Sequence, residues 1–359
     1  MMYKKKWFFV GCLLVLAVVI RLFSANPVVT EQYYSTGLYP YIGSFFRWLT
    51  GWLPFSLGDI LYGIMAIWLL WKLIKGLKAL FKKQLSWQVF YKKLSAIIIV
   101  LLIIYIVFNV LWGINYNRQG IAVQLDLKME KYSPEDLKTI SNILLQKVNE
   151  SKAAIIKAPA VILSSKEIFK RSVEAYSLVS KKYSFLQYNN PSVKTSLWGW
   201  LGNYIGFTGY YNPFTGEAQV NTTVPKFLQP YTTCHEIAHQ FGYAKEREAN
   251  FVGYLAASAS KDSMFLYSVY LDLFLYANRN LYAVDTAEAK SFARQLLPSI
   301  KNDLKELNDF YLKHQNPVEP VIRWMYGKYL QSNQQPSGVS SYDEVTGLLI
   351  AYYKKYNDL

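Results

Sequence analysis

Three long apolar segments in the first third of the chain constrain its fold more than any other feature of the sequence. They lie at about residues 7–25, 54–74 and 96–112. Each approaches the roughly 20 residues that an α-helix needs to cross a bilayer. The composition agrees, because 52% of the residues are hydrophobic and only 18% are charged, which is too apolar for an average soluble domain. The sequence therefore predicts three transmembrane helices, with the lipid bilayer as a partner.

The first segment also resembles a signal peptide, since it follows three lysines and ends in the small residues Ser24 and Ala25. Cleavage after Ala25 is one interpretation. Because two further apolar segments follow, we expect the first to be retained as a membrane anchor.

The distribution of lysines predicts the orientation of the anchor. Residues 72–93 contain seven lysines and no acidic residue, whereas residues 24–53 contain one arginine and one glutamate. By the positive-inside rule, the N-terminus and the 72–93 loop are cytoplasmic. The sequence then divides into a membrane anchor, residues 1–116, and an extracytoplasmic domain, residues 117–359. We expect a multi-pass protein of the cytoplasmic membrane.

Much of the net charge of +15 comes from these lysines. It therefore reflects membrane orientation, and no zinc finger, basic repeat or aromatic-basic platform predicts nucleic-acid binding.

The extracytoplasmic domain contains the pattern His-Glu-Ile-Ala-His at residues 235–239. The whole chain has three histidines, and two of them stand here, four residues apart. On a helix, residues i and i+4 share a face, so both imidazoles can bind one ion. Zn²⁺ binds imidazole nitrogen readily, and a glutamate beside the first histidine can take a proton from a metal-bound water. We therefore expect His235 and His239 to bind zinc and Glu236 to be the catalytic base.

A third ligand is expected after Gly242, which tolerates the left-handed backbone that ends a helix. A second helix is predicted from near Lys245 to Ala257, with Glu246 and Asn250 on one face. Lys245 stands where metzincins have their third histidine, so a carboxylate must complete the set. We favour Glu246, with Asn250 orienting a ligand histidine. Glu248 is the alternative.

H-E-x-x-H followed by E-x-x-A-N resembles the gluzincin class of zinc metallopeptidases. The residues from Glu246 to Asn250 match its pattern, which implies that Glu246 is the third ligand and Asn250 a supporting group. Residues 209–218, 234–236, 246–251 and 54–59 are similar to an uncharacterised bacterial membrane-protein family. Its members carry a few membrane helices before a predicted zinc-protease domain. The resemblance implies a fold and a metal chemistry and leaves the substrate open.

The motif has two other interpretations. Thr233 and Glu236 also form a capping box, which would make the two histidines ordinary core residues. Cys234 could be a fourth ligand, but its position turns it about 100° away from His235, so we expect a packed side chain. The residue that would stabilise the oxyanion is left open. The candidates are His314, which we expect to be exposed, and the tyrosines Tyr326, Tyr329 and Tyr342.

The remaining sequence predicts a mainly α-helical domain with a small β-sheet or hairpin, a zincin-like α+β arrangement after three transmembrane helices. Residues 31–53 are expected to form an outer loop with a short interfacial helix at 42–49. A β-hairpin is predicted at 208–223. Its edge strand either binds a peptide backbone or only packs against the helix that carries the two histidines. Helices are predicted at 133–151, 165–183, 262–281, 287–307 with a break or kink at Pro298, and 342–356, with loops at 316–320 and 331–341.

These patterns together predict a membrane-anchored zinc metallopeptidase that hydrolyses protein or peptide substrates outside the cytoplasmic membrane. An intramembrane protease is disfavoured, because the residues around the motif are polar. A non-catalytic membrane scaffold with structural zinc and a ligand-sensing protein are the alternatives. Glu236, which has no structural need beyond the helix cap, favours catalysis.

Overall fold

The computed structural model describes residues 2–81, 87–159 and 163–359. Residues 82–86 of the predicted basic loop lie outside the described residues. The first part of the chain forms α1 (Met2–Ser24), α2 (Pro27–Val29), a π-helix (Thr30–Leu38), α3 (Tyr39–Gly51), α4 (Leu57–Phe81) and α5 (Trp87–Leu111). Lys6–Ser24, Leu57–Phe81 and Tyr91–Leu111 are long and apolar enough to cross a membrane. The prediction of three membrane-capable helices is confirmed. The second helix begins three residues later than expected, after Pro54.

The short helix expected at 42–49 is present within α3, but the rest of the segment, expected to be a loop, is also helical almost throughout from Pro27 to Gly51. The many aromatic residues favoured a loop, but several of them stand three or four positions apart and form one exposed face of a helix. They are Tyr41, Phe45, Trp48 and Trp52. On the other face, Tyr39, Arg47 and Thr50 are buried against the rest of the protein. This segment therefore packs as part of the fold.

The second part of the chain is mainly helical. Short 3₁₀ turns at Gly113–Asn117, Ser184–Leu186, Lys226–Leu228 and Gly338–Tyr342 separate some of its elements. Its helices are α6 (Ile121–Gln124), α7 (Pro134–Lys157), α8 (Ser165–Val179), α9 (Gly199–Ile205), α10 (Gln229–Gln240), α11 (Glu246–Ala259), α12 (Ser263–Val284), α13 (Thr286–Arg294), α14 (Pro298–His314), α15 (Glu319–Ser332) and α16 (Val345–Tyr356).

Several helix ends follow the sequence rules. Ser133 and Asp136 form a reciprocal capping box at the start of α7. The break expected at Pro298 is present, since α13 ends at Arg294 and α14 begins at Pro298. The helix α15 was not predicted; it lies between the two segments expected to be loops.

A small mixed sheet contains β1 (Val193–Thr195), β2 (Gly209–Asn212) and β3 (Glu217–Val220) in the order β1-β3-β2. The predicted hairpin is confirmed, with Gly209 opposite Val220 and Asn212 opposite Glu217 in antiparallel register. The parallel strand β1 was missed, because three residues are too short for a periodic pattern. The fold is therefore mainly α-helical with a small mixed sheet.

The sheet and the second membrane-capable helix are joined directly. The carboxylate of Glu217 accepts hydrogen bonds from the first free amides of α4, at Leu57 (2.9 Å) and Gly58 (2.6 Å). Asp59, in the same turn, accepts one from the amide of Leu197 at 2.7 Å and another from the Tyr210 hydroxyl. A helix start needs acceptors for its amides, and here the central strand β3 supplies them through Glu217, while Tyr210 of the edge strand donates to the Asp59 side chain. The Pro54–Asp59 segment thus fixes α4 to the domain.

Candidate metal centre

The helix α10 carries both motif histidines and is buried along its whole length. It begins at Gln229, so Thr233 lies within it, and the Thr233 hydroxyl donates to the carbonyl of Gln229 at 2.7 Å. The capping-box interpretation of the motif is therefore wrong. The helix starts earlier because Pro230 suits its first turn.

Gly242 reverses the chain after α10. Its φ is +82°, and a Cβ there would lie 2.9 Å from atoms of Asn115 and Tyr39. Only glycine combines this left-handed backbone with so close an approach at no steric cost. The turn leads directly into α11, whose first residue is Glu246. The two helices and the turn predicted between them are therefore present.

His235, His239 and Glu246 converge at one point, as the spacing predicted. Their candidate ligand atoms all lie within 4.8 Å of one another, and the three residues are buried. The two Nε2 atoms are 3.1 Å apart, and the Oε2 atom of Glu246 lies 3.2 Å from Nε2 of His235 and 3.5 Å from that of His239. These three residues are the candidate metal-binding group.

The other ring nitrogen of each histidine is already used. Nδ1 of His235 is 2.7 Å from Oδ1 of Asn250, and Nδ1 of His239 is 2.7 Å from the carbonyl of Tyr243. The Asn250 amide in turn donates to the carbonyl of Tyr342 at 3.2 Å. Both Nδ1 atoms face oxygen acceptors, which favours the Nδ1–H tautomer and leaves the Nε2 lone pairs directed at the cluster. Asn250 has the position predicted for it.

The carboxylate and the two imidazoles of the cluster affect each other's protonation. Burial alone would raise the pKa of Glu246, but the interaction with the two imidazoles holds the pKa of this carboxyl well below its usual range. Burial alone would lower the pKa of His239, but the interaction with Glu246 raises that pKa above its usual value. The ionised form of Glu246 is therefore favoured beside the imidazoles.

Glu236 lies buried beside the cluster and is not part of it. Burial raises the pKa of its carboxyl to about 7, with Glu246 adding to the rise and the histidines opposing it. Its Oε2 atom has no hydrogen-bond partner in the described part of the chain. A Cβ on Gly209, at the start of β2, would lie 2.6 Å from Oε1 of Glu236. The edge strand thus passes directly against this carboxylate.

Three other predicted candidates lie away from the cluster. Glu248 is buried 3.8 Å from Lys245. Cys234 packs in the hydrophobic core, where burial raises the pKa of its thiol to about 12. His314 hydrogen-bonds to the carbonyl of Phe310 and packs edge-on against Tyr204.

Of the three tyrosines that sequence could not rank, two reach the site. The Tyr326 hydroxyl donates to Oε1 of Glu246 at 2.8 Å, and the Tyr342 hydroxyl lies 3.3 Å from that of Tyr326. The hydroxyl of Tyr329 instead lies 3.1 Å from that of Tyr116. The helix α15, which sequence reasoning missed, therefore supplies a hydroxyl group to the candidate ligand.

Side chains from the first third of the chain contact the C-terminal end of α10. The carbonyl of Gln240 accepts hydrogen bonds from Tyr39 (3.0 Å) and Arg47 (3.1 Å), and that of His239 accepts one from the indole of Trp112 (3.0 Å). The amide of Gly242 also donates to the carbonyl of His239, at 3.0 Å. The last carbonyls of a helix need partners from outside its regular hydrogen bonds, and these three side chains add to the backbone cap at the Gly242 turn. Sequence reasoning missed all three. The one available signal was Arg47, the sole basic residue in an aromatic segment.

The fold and the site define a class of protein: a mainly helical chain with three membrane-capable helices and a buried His-His-Glu cluster. Residues 34–350 match the family described as protein of unknown function (DUF3810), so the chain belongs to this family. The match includes α4, α5 and the whole cluster. No curated protein and no solved structure is significantly similar to the chain.

Proposed function

We propose that this protein is a membrane-anchored, zinc-dependent metallopeptidase of gluzincin type. The observation that supports it most directly is the convergence of three buried acceptor atoms, from His235, His239 and Glu246. Two ligands about 2.0–2.1 Å from a tetrahedral zinc ion lie about 3.4 Å apart. The separations in the cluster are 3.1, 3.2 and 3.5 Å. The residues therefore fit zinc.

The unpaired atoms of the site support the same proposal. Oε2 of Glu246 is buried, and no group in the described part of the chain meets it with the geometry of a hydrogen bond. The two Nε2 atoms lie 3.2 and 3.5 Å from it. Burying such an oxygen is costly unless a proton or a cation meets it. A divalent cation satisfies all three acceptors at once.

In this proposal each residue near the cluster has a distinct task. Bound zinc would act as a Lewis acid and activate a water molecule. Glu236 would accept a proton from the attacking water and pass it to the departing amine of the peptide. Asn250 and the carbonyl of Tyr243 would keep the imidazoles oriented. The hydroxyl of Tyr326, which donates to Oε1 of Glu246, would keep that carboxylate oriented.

The edge strand supports a polypeptide as substrate. β2 is the outer strand in the order β1-β3-β2, and it begins at Gly209 against Glu236. An extended peptide can add to such an edge through its own backbone amides and carbonyls. This would carry a scissile bond past Glu236.

The test is metal content and turnover in matched variants. We expect about one zinc per chain in the purified full-length protein, and Glu236→Gln should keep the zinc and the fold while turnover falls about 10²–10⁴-fold. A folded, zinc-loaded Glu236→Gln protein that cleaves peptides at the wild-type rate would overturn the mechanism. If a peptide library yields no cleavage by either protein, a non-catalytic zinc-stabilised scaffold or a ligand-sensing protein is favoured instead.

We also propose that the domain carrying the site is extracytoplasmic. The seven lysines of residues 72–93 support this orientation. A protease added to intact spheroplasts should remove the domain, while a cytoplasmic marker protein stays intact. If the domain is digested only after the membrane is permeabilised, the domain lies on the cytoplasmic side and the proposed orientation is wrong.

A further inference from the structure

An apolar face covers part of the domain outside the three membrane-capable helices. It consists of side chains on two neighbouring elements, the segment containing α9 and the helix α15: Leu197, Trp200, Tyr204, Val321, Trp324 and Met325. Each of these side chains is 43% to 64% exposed. Two exposed tryptophans on neighbouring elements, each with further exposed apolar side chains on its element, mark a candidate contact surface.

The α9 end of the apolar face lies against a membrane-capable helix. The indole of Trp198 donates to the carbonyl of Asp59 in α4 at 3.0 Å. A Cβ on Gly63 would lie 2.8 Å from the ring of Trp198. Gly63 is six residues into α4, which corresponds to about 9 Å along the helix. The ring of Trp198 therefore packs beside α4 within its apolar length, and the exposed residues of α9 follow directly.

The helix α15 extends from α9 towards another membrane-capable helix. Near its first turn, the Asn316 side chain donates to the carbonyl of Tyr204 in α9 at 2.6 Å. Near its last turn, the hydroxyl of Tyr329 lies 3.1 Å from that of Tyr116, five residues after the end of α5. The 14 residues of α15 span about 21 Å. The beginning of α15 thus lies near the end of α9, and its last turn lies near the end of α5.

The side chains of α15 are arranged as in helices that lie on a membrane. Val321, Trp324 and Met325 occupy neighbouring positions on one face, at spacings of three and four. The exposed Lys328 stands beside them, where its long side chain can reach the headgroups. Tryptophan beside a basic residue is typical of the bilayer interface.

We propose that the apolar face is inserted into the leaflet of the bilayer on the domain side. The bilayer is the occupant because the face continues the lipid-exposed surface of α4 through Trp198. Insertion places α15, and with it Tyr326, at the level of the headgroups. The candidate metal centre then lies immediately above the membrane surface.

The test uses an environment-sensitive fluorophore on single cysteines in the full-length protein, reconstituted in phosphatidylcholine nanodiscs. Cys12 and Cys234 are first replaced by alanine, and unchanged helicity is verified by circular dichroism. Trp324→Cys and Trp200→Cys place the label in the apolar face. The control is Ile156→Cys, because Ile156 is 60% exposed at the end of α7, which packs against α12.

We expect phospholipids carrying a nitroxide on the acyl chain to quench labels at 324 and 200, and iodide to leave both bright. The label at 156 should behave in the opposite way. Quenching of 324 and 200 by iodide, as at 156, would overturn the proposal. Protection of both positions from both quenchers would also overturn it, since a protein partner or a second copy would then cover the face. The two positions guard against one variant failing to fold.

Discussion

Glu246 and Glu248 stand two residues apart on α11, yet their carboxylates have different surroundings. Glu246 lies 3.2 Å from His235, whereas Glu248 lies 3.8 Å from Lys245. Burial raises the pKa of Glu248, and the nearby cations Lys245 and Arg118 oppose that rise. Residues two positions apart on a helix differ by a rotation of about 200°. The two carboxylates therefore lie on nearly opposite sides of α11, and only that of Glu246 reaches the histidines.

Glu246→Ala should lose bound zinc, because the site keeps two imidazoles and no carboxylate, whereas Glu248→Ala should retain about one zinc per chain. Metal analysis of both purified variants by mass spectrometry checks this. The reverse pattern would assign the third ligand to Glu248.

At the scale of the elements, α10 depends on α3 and on the residue after α5 for its C-terminal end. The Arg47 guanidinium donates to the carbonyls of Gln240 (3.1 Å) and Asn189 (3.2 Å) and is buried. A helix of 12 residues is marginal by itself in water, so tertiary contacts of this kind determine whether it keeps its shape.

We therefore predict that Arg47→Ala lowers the free energy of unfolding by about 1.5–3 kcal/mol, the range for hydrogen bonds to charged groups. The thermal midpoint in detergent should fall accordingly. Arg279→Ala is the matched control, because Arg279 is exposed and pairs with Asp343 at 3.0 Å; such pairs contribute at most about 1 kcal/mol. Equal effects of the two substitutions would refute a special role for Arg47.

On the scale of the whole molecule, residues 1–116 and residues 117–359 pack as one folded unit. The first part supplies Tyr39, Arg47 and Trp112 to α10, and the second part supplies Glu217 to the start of α4. The boundary between residues 1–116 and 117–359 was predicted from the sequence alone. These contacts join the two parts across that boundary.

We predict that residues 117–359, produced alone, fail to form the zinc site. The fragment would lose three hydrogen bonds to two buried carbonyls of α10, at about 1–3 kcal/mol for each bond. The total is comparable to the lower part of the roughly 5–15 kcal/mol that stabilises a typical domain. Zinc content and near-ultraviolet circular dichroism, compared with the full chain in detergent, measure the outcome. A fragment that binds one zinc with native-like dichroism would show that the domain is independent.

The sequence by itself determined the elements whose signals are local. Hydropathy located the three membrane-capable helices, the spacing of four placed His235 and His239 on one helical face, and Gly242 placed the turn that brings Glu246 to them. Turn residues located the hairpin, and Ser133 located the start of α7. Each of these signals lies within about 20 residues of chain, where helix and turn geometry is set by neighbouring residues.

Only the tertiary structure decided which distant residues complete the site. Tyr39 and Gln240 are separated by 201 positions, Trp112 and His239 by 127, and Tyr326 and Glu246 by 80. No periodic pattern links residues so far apart, and 30 tyrosines leave the choice among them open. Such contacts arise because buried carbonyls and carboxylates must find donors once the helices have packed, so the packing selects the partners.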